Sequence, residues 1–222
     1  MIPKEDNNRL QFQARFSIVA TLLILICFAV AMYHYHNDRY SYSIFNHFIS
    51  ELGHTEGSDY YISFSIGLCI ASLSLIVYLT MMGNILKDRF SKYGKYIGIF
   101  ACISCFMVGL FPADTHLKPH LLFALIFFFG NMISCLFYGI SILKSNSKKL
   151  HSWTGILPII TAVCSFIFLF LPKEEVRIFL KDRHNYDRPD FWIHPIFEWS
   201  VLIGLLTWIL ISSLSVIQQS RK

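Results

Sequence analysis

The chain has 222 residues, of which 55% are hydrophobic and only 15% are charged, and its net charge is +5. Ordinary soluble domains are about a quarter charged, so this composition excludes that class. The positive charge does not indicate nucleic-acid binding, because the basic residues stand at the ends of apolar runs, where they orient membrane helices. We therefore expect a protein that has the lipid bilayer, and no nucleic acid, as a partner.

Six apolar runs of membrane-spanning length divide the sequence. A helix needs about 20 residues to cross about 30 Å of hydrocarbon, and each run is close to that length. The sequence predicts an all-α, six-helix transmembrane bundle in one domain, residues 1–222. The predicted spans are about 16–35, 61–82, 96–113, 119–143, 153–172 and 192–216. Alternatively, the first run is a signal peptide cleaved near Ala29-Val30-Ala31.

The segments between the runs alternate between basic-rich segments and segments rich in histidine and carboxylates. The second kind holds every histidine except His151, and every acid except Glu5, Asp6 and Asp88. Basic residues stay on the cytoplasmic side, so we predict that both termini are cytoplasmic, in a bacterial inner membrane. The basic set is Lys4, Arg9, Arg15, Lys87, Arg89, Lys92, Lys95, Lys144, Lys148, Lys149, Arg221 and Lys222.

The first outer segment contains a short amphipathic pattern. Apolar residues at 45, 48, 49 and 52 form a helical stripe, and Gly53 supplies a stop. We predict a short interfacial or re-entrant helix with Ser50 and Glu51 on its polar face. The third outer segment, 173–191, carries five basic and five acidic residues. We interpret it as a solvated cap whose charges pair locally.

Three outer segments each contribute a polar pair four residues apart, the spacing that stacks two side chains on one helix face. The pairs are His47 with Glu51, His116 with His120, and His194 with Glu198. Such spacing also brings paired ligands to one metal ion, and three histidines with a carboxylate satisfy zinc. Candidate zinc ligands are therefore His47, His116, His120 and His194. The alternative is that these groups cap helix ends, because Pro119 and Pro195 stand near two of the helix starts.

Glu198 lies within an apolar run, where an unpaired carboxylate is costly. We expect it to pair with His120 or with the amphipathic helix, and to act there as a proton donor or acceptor. The candidate catalytic residues are Glu198 and His120, with Ser50 and Glu51 beside them. Alternatively, Glu198 is a structural carboxylate that is hydrogen-bonded to a Trp or Ser side chain.

Short motifs resemble a known family over nearly the whole chain. They are Phe48-Ile49-Ser50-Glu51-Leu52-Gly53, Gly109-Leu110-Phe111-Pro112, His120 at the head of the fourth run, and Glu198-Trp199. The chain resembles the bacterial six-span family known as domain of unknown function 998, and more distantly the Frag/DRAM/Sfk family, which includes a GPI-anchor lipid-remodelling protein. The resemblance implies the six-helix fold and an outward-facing site at Ser50, Glu51, His120 and Glu198. Glu51 stands where the bacterial family usually has Asp.

The leading hypothesis is a membrane-embedded lipid-processing enzyme, hydrolase-like or transferase-like, because the polar groups lie at headgroup depth. One alternative is a proton-coupled transporter or sensor that uses the same cluster as a protonation switch. Spans two, three and five carry hydroxyls but no charged residue at mid-depth, which weakens a conduction route. Another alternative is a non-catalytic scaffold that recognises a partner or a lipid.

Overall fold

The computed structural model describes residues 4–36, 41–57, 59–183 and 185–220, and these residues form a helical bundle. Six helices in these ranges are long and apolar enough to cross a membrane. The α-helices are α1 Lys4–Tyr33, α2 Tyr61–Leu86, α3 Arg89–Leu110, α4 Leu117–Lys144, α5 Ile156–Phe170, α6 Glu174–Lys181 and α7 Ile193–Gln219. Two 3₁₀ helices cover Ile49–Gly53 and Ser152–Gly155. The predicted fold class is confirmed.

The six long helices form a closed ring in chain order. Each of α1 to α4 packs against the next helix in the chain, α5 packs against α7, and α7 closes the ring against α1. The first and last helices meet at one end of the ring, where Asn7 Nδ2 donates to the Ser220 carbonyl at 3.3 Å. We call this the basic end. The other end, formed by the connections after α1, α3 and α5, is called the site end.

Helix ends differ from the predicted spans where local capping extends the helix beyond the apolar run. The third helix begins at Arg89 rather than near 96 because Asp88 Oδ1 accepts hydrogen bonds from Phe90 N (2.8 Å) and Ser91 N (3.2 Å). This N-cap satisfies backbone N–H groups in the first turn of the helix, and a pattern of apolar residues does not reveal such a cap. The fifth helix is shorter than predicted, because residues 152–155 form a 3₁₀ turn.

An aromatic plug fills the half of the ring nearest the basic end. Trp208 on α7 packs edge-on against Tyr78 of α2, with ring centroids 5.0 Å apart, and contacts Tyr138 of α4 at 5.6 Å. The Tyr138 hydroxyl donates to the Leu79 carbonyl at 2.6 Å. All three rings are fully buried. The interior is therefore closed on this side, and any cavity within the ring must open toward the site end.

The short helix predicted in the first outer segment is present in its re-entrant form, but it covers fewer residues than the apolar stripe indicated. Among the described residues between α1 and α2, the helix covers Ile49–Gly53 in the 3₁₀ form, and it lies inside the mouth of the ring against α1, α2 and α7. Glu51, predicted on a polar face, is only 2% exposed. A Cβ at Gly53 would meet the Phe64 ring at 2.6 Å, so glycine permits this close approach. The 3₁₀ helix can be buried because the Glu51 carboxylate is paired with Arg188 inside the protein.

The segment after α5 is a helical cap and not only a solvated loop. Helix α6 buries Phe179, whose ring lies 5.9 Å from Phe48 and 5.3 Å from Trp192. Part of the expected local charge pairing is present, because Arg177 and Glu174 form an exposed ion pair at 4.0 Å. The cap is thus held over the mouth of the ring by aromatic packing and by the long-range contacts of its arginines.

Candidate functional site

Three adjoining cavities occupy the site end. The central cavity, of about 280 Å³, lies between α4, the end of α5, the cap and the 3₁₀ helix. A narrow apolar shaft of about 90 Å³ runs from it into the ring. A polar cavity of about 530 Å³ lies on its other side. The central cavity shares Ser50, His120, Ala124, Phe128 and Glu198 with the shaft, and Glu51, His54, Leu180 and Arg183 with the polar cavity.

The four residues predicted as a site all line the central cavity: Ser50, Glu51, His120 and Glu198. They come from the 3₁₀ helix, the first turn of α4 and the second turn of α7. Three of them, Ser50, His120 and Glu198, also line the mouth of the shaft. These three side chains therefore lie where an apolar interior meets a polar exterior.

Glu198 is held by the backbone of the 3₁₀ helix. Its Oε2 accepts a hydrogen bond from Ile49 N at 2.7 Å, and its side chain is 8% exposed. The next residue, Trp199, donates its indole N–H to the His47 carbonyl at 3.2 Å. The prediction that Glu198 pairs with the segment in the first outer loop is confirmed. Its partner is a main-chain amide, which leaves the second carboxyl oxygen available to another group.

His120 is fixed in one tautomer by a carbonyl. Its Nδ1 lies 2.7 Å from the Phe111 carbonyl oxygen, which can only accept, so Nδ1 carries the proton. In the neutral ring Nε2 is then an acceptor, and no hydrogen bond to a described residue occupies it. The side chain is 4% exposed. A histidine oriented in this way is suited to act as a base through Nε2.

Ser50 contributes a hydroxyl without a hydrogen-bond partner among the described residues. It stands in the first turn of the 3₁₀ helix, next to Ile49, whose N–H is bound by Glu198. The side chain is partly buried and faces both the central cavity and the shaft. The hydroxyl can therefore donate to a group held between Glu198 and His120.

Glu51 differs from the other three because both of its oxygens are occupied. Arg188 donates to Oε1 at 3.0 Å and to Oε2 at 2.5 Å, and Phe48 N donates to Oε1 at 2.8 Å. Both side chains of the ion pair are only 3% exposed. Arg188 also donates to the Asn46 carbonyl at 3.0 Å. Glu51 thus anchors the cap to the 3₁₀ helix that carries Ser50.

The histidines predicted as zinc ligands are not brought together. His47 is buried, with its ring 5.5 Å from that of Tyr35 and 5.0 Å from that of Tyr42. His116 is exposed and lies beside Thr115, and His194 bonds the Pro172 carbonyl through Nε2 at 2.7 Å. Within the described ranges, no three His, Cys, Asp or Glu side chains are grouped as a metal site. Zinc is therefore not part of the function proposed below.

The long-range contacts of the basic residues in the cap were not predicted from the sequence. Arg183 donates to the Ala113 carbonyl at 3.1 Å, and its Nη1 lies 3.3 Å from His54 Nε2. Lys173 donates to the Phe168 carbonyl at 2.5 Å. The available signal was the basic count of segment 173–191, which is unusual on the side opposite the other basic residues. A high number of basic residues on this side indicates that their charges have partners or ligands.

A polar bridge joins the first and second connections of the site end. Asp114 Oδ2 accepts from Thr55 N at 2.6 Å and from the Thr55 hydroxyl at 2.7 Å. Burial alone would raise the pKa of Asp114, but the Thr55 hydrogen bonds outweigh it and lower the pKa. Burial, reinforced by the Arg183 guanidinium, lowers the pKa of His54 to about 3. Burial and Arg188 lower the pKa of His47 to about 4.

These two histidines predict a loss of stability in mild acid. In the unfolded state, His47 and His54 bind protons as the pH falls through their ordinary pKa of about 6.5. In the folded protein the pKa is about 4 for His47 and about 3 for His54, so both bind protons only at lower pH. The unfolded state therefore gains protons first, so stability is full above pH 6.5 and declines as the pH falls toward 4. We expect the thermal midpoint in detergent to decline over this window. His54→Asn, which keeps an acceptor for Arg183, should make the decline shallower.

The control for this measurement is His151→Asn, at an exposed position of the basic end. It should follow the wild-type dependence on pH. An unchanged slope in His54→Asn would show that His54 does not contribute to the acid sensitivity.

Comparison with known proteins identifies a family. A family model described as "Protein of unknown function (DUF998)" matches residues 14–215, which is nearly the whole chain and includes all four residues of the site. A search of the curated proteins and one of the solved structures gave no match. The distant similarity to the Frag/DRAM/Sfk family stays a prediction. The six membrane-length helices and this match agree, and the chain belongs to the family described as "Protein of unknown function (DUF998)".

Proposed function

We propose that this protein is a membrane-embedded hydrolase that cleaves an ester bond of a lipid. The observation that carries the proposal is the meeting of Ser50, His120 and Glu198 at the junction of the apolar shaft and the central cavity. An ester joins the hydrocarbon part of a lipid to its polar part. A lipid lying across this junction would place that bond beside the three side chains.

The chemistry follows from the hydrogen bonds of the site. A water molecule attacks the ester carbonyl carbon and gives a proton to His120 Nε2, the free ring nitrogen. The Ser50 hydroxyl donates to the carbonyl oxygen as it becomes negative. The carbon–oxygen bond to the alcohol then breaks, and the departing oxygen takes a proton from neutral Glu198. The proton on His120 returns to Glu198, so that ester and water have become a carboxylic acid and an alcohol.

The shaft favours this reading over proton transport. Below His120 and Glu198, the described residues that line it are apolar apart from Ser72, Ser74 and Cys105. The rings of Tyr78 and Trp208, which are fully buried, do not line the shaft and pack against each other with centroids 5.0 Å apart. A proton path through the membrane requires ionisable groups or water along its length. The enzymatic reading requires only that the interior accept hydrocarbon.

The orientation of the bundle is part of the proposal: the basic end faces the cytoplasm and the site faces outward, as the basic residues favour. A single cysteine at exposed Glu56, on the site end, should react with a membrane-impermeant maleimide in intact bacterial cells. A cysteine at exposed Lys148, on the basic end, should react only after lysis. The reverse labelling pattern would contradict this orientation.

The test of the function is turnover of extracted lipids. The purified protein is incubated with vesicles of total bacterial membrane lipid, and the lipids are compared by mass spectrometry with a protein-free sample. We expect a time-dependent release of a carboxylic acid together with the matching alcohol. Wild-type samples that are indistinguishable from protein-free vesicles would contradict the proposal.

A further inference from the structure

The central cavity opens sideways toward the membrane. Leu121 and Leu125 of α4 line it, yet they are 45% and 51% exposed, on the surface of a membrane-length helix. Its deeper wall is also apolar and includes Phe128 of α4 and Phe168 of α5. Hydrocarbon can therefore pass from the bilayer to the cavity without crossing polar surroundings. No comparable apolar opening is needed for a water-soluble substrate.

The same cavity is bordered by cations that lack carboxylate partners. Lys173 Nζ lies 4.7 Å over the Phe168 ring and donates to that residue's carbonyl. Arg183 donates to the Ala113 carbonyl and lies against His54. Neither cation has a carboxylate within ion-pair distance among the described residues, whereas Arg188 is neutralised by Glu51. Lys173 and Arg183 thus leave positive charge on the cavity wall.

We propose that the central cavity binds a lipid whose headgroup is anionic, and that this lipid enters sideways past Leu121 and Leu125. The inference rests on the proposed function, whose substrate class it specifies. Phosphate oxygens accept charge-assisted hydrogen bonds from ammonium and guanidinium groups. The anion pairs with Lys173 and Arg183, and the remainder of the headgroup extends into the polar cavity. The hydrocarbon chains lie along the leucines of α4.

This arrangement sets the orientation of the substrate. The cations belong to the cap, the apolar wall belongs to α4 and α5, and Glu198 with His120 lines the cavity beside both. An anionic headgroup held by the cap therefore places the bond that follows it next to the reacting groups. A zwitterionic lipid such as phosphatidylcholine has the same phosphate, but its quaternary ammonium is repelled by Lys173 and Arg183, so it binds more weakly.

The test compares binding of phosphatidylglycerol and phosphatidylcholine with identical acyl chains. Native mass spectrometry of the detergent-purified protein measures the fraction that retains each lipid at equal concentration. We expect wild-type protein to prefer phosphatidylglycerol by about tenfold or more, and the double variant Lys173→Gln/Arg183→Gln to lose this preference. The matched control is Lys118→Gln, an exposed basic position at the site end outside the cavities, which should bind as wild type.

Several outcomes overturn the inference. Equal retention of the two lipids by the wild type would do so, as would an unchanged preference in the double variant. Glycerol 3-phosphate that binds as tightly as phosphatidylglycerol would show a site for free phosphate and not for a lipid. Binding and turnover separate the two proposals: selective binding without hydrolysis would refute only the function, and hydrolysis without headgroup preference would refute only this inference.

Discussion

Replacing Glu198 by glutamine should lower the rate of lipid hydrolysis by about 100-fold or more, the usual contribution of a general acid. Glutamine has nearly the same shape, and its amide oxygen can still accept the hydrogen bond from Ile49 N, which spans 2.7 Å in the wild type. It cannot deliver a proton to the departing alcohol. The protein should therefore stay folded while its activity is lost. The measurement is lipid turnover by mass spectrometry together with the thermal midpoint in the same detergent.

A parallel loss is expected for the base. His120→Asn retains a donor that can reach the Phe111 carbonyl, but it has no basic nitrogen in place of Nε2. Its activity should fall by about 100-fold or more, whereas His151→Asn at the basic end should leave activity unchanged. If either site variant hydrolyses lipid at the wild-type rate, the assigned acid and base are wrong.

Replacing Arg188 by alanine should have the largest effect on stability. The variant leaves the Glu51 carboxylate buried, at 3% exposure, without its charged partner. Breaking a buried ion pair on one side typically costs about 3–5 kcal/mol. The loss should also include the packing of the guanidinium over the Phe179 ring, 4.7 Å from its centroid. The free energy of unfolding in detergent, or the thermal midpoint where unfolding is irreversible, measures the effect.

Two controls show whether the buried charge is the cause. Arg177→Ala removes an exposed pair with Glu174, which is worth about 0–1 kcal/mol, so it should be nearly neutral. The double variant Glu51→Leu/Arg188→Met removes both charges, and it should be more stable than Arg188→Ala. A double variant that is no more stable would show that the unpaired charge of Glu51 is not the cause of the loss.

The helical bundle was predictable because its signal is local and strong. Each span is an uninterrupted apolar run, and the thickness of hydrocarbon fixes the length that such a run needs. The helix ends were less predictable, because capping groups such as Asp88 extend helices into polar sequence. The cap helix α6 was missed because it has only eight residues, four of them charged, so the apolar residues Val176, Phe179 and Leu180 cover little more than one helical turn.

The sequence allowed the residues of the site to be predicted, but it did not allow the role of each residue to be predicted. Glu198 was selected because an ionisable group within an apolar run is costly, and His120 was selected as its candidate partner; both are buried on the cavity. Glu51 was assigned to a polar face because its future partner, Arg188, is 137 positions away in the chain. Long-range pairs of this kind leave no trace in local spacing. The zinc hypothesis depended on spacing alone, and spacing does not determine whether helices bring their histidines together.

The most direct test of the central claim is hydrolysis in water enriched in ¹⁸O. Wild-type protein in vesicles of bacterial lipid should release a carboxylic acid that carries one ¹⁸O atom, and His120→Asn should lower the rate of its release by about 100-fold or more. Acid without the label would mean that the attacking oxygen does not come from water. Vesicles that remain unchanged with folded wild-type protein would contradict the assignment of Ser50, His120 and Glu198 as a hydrolytic site.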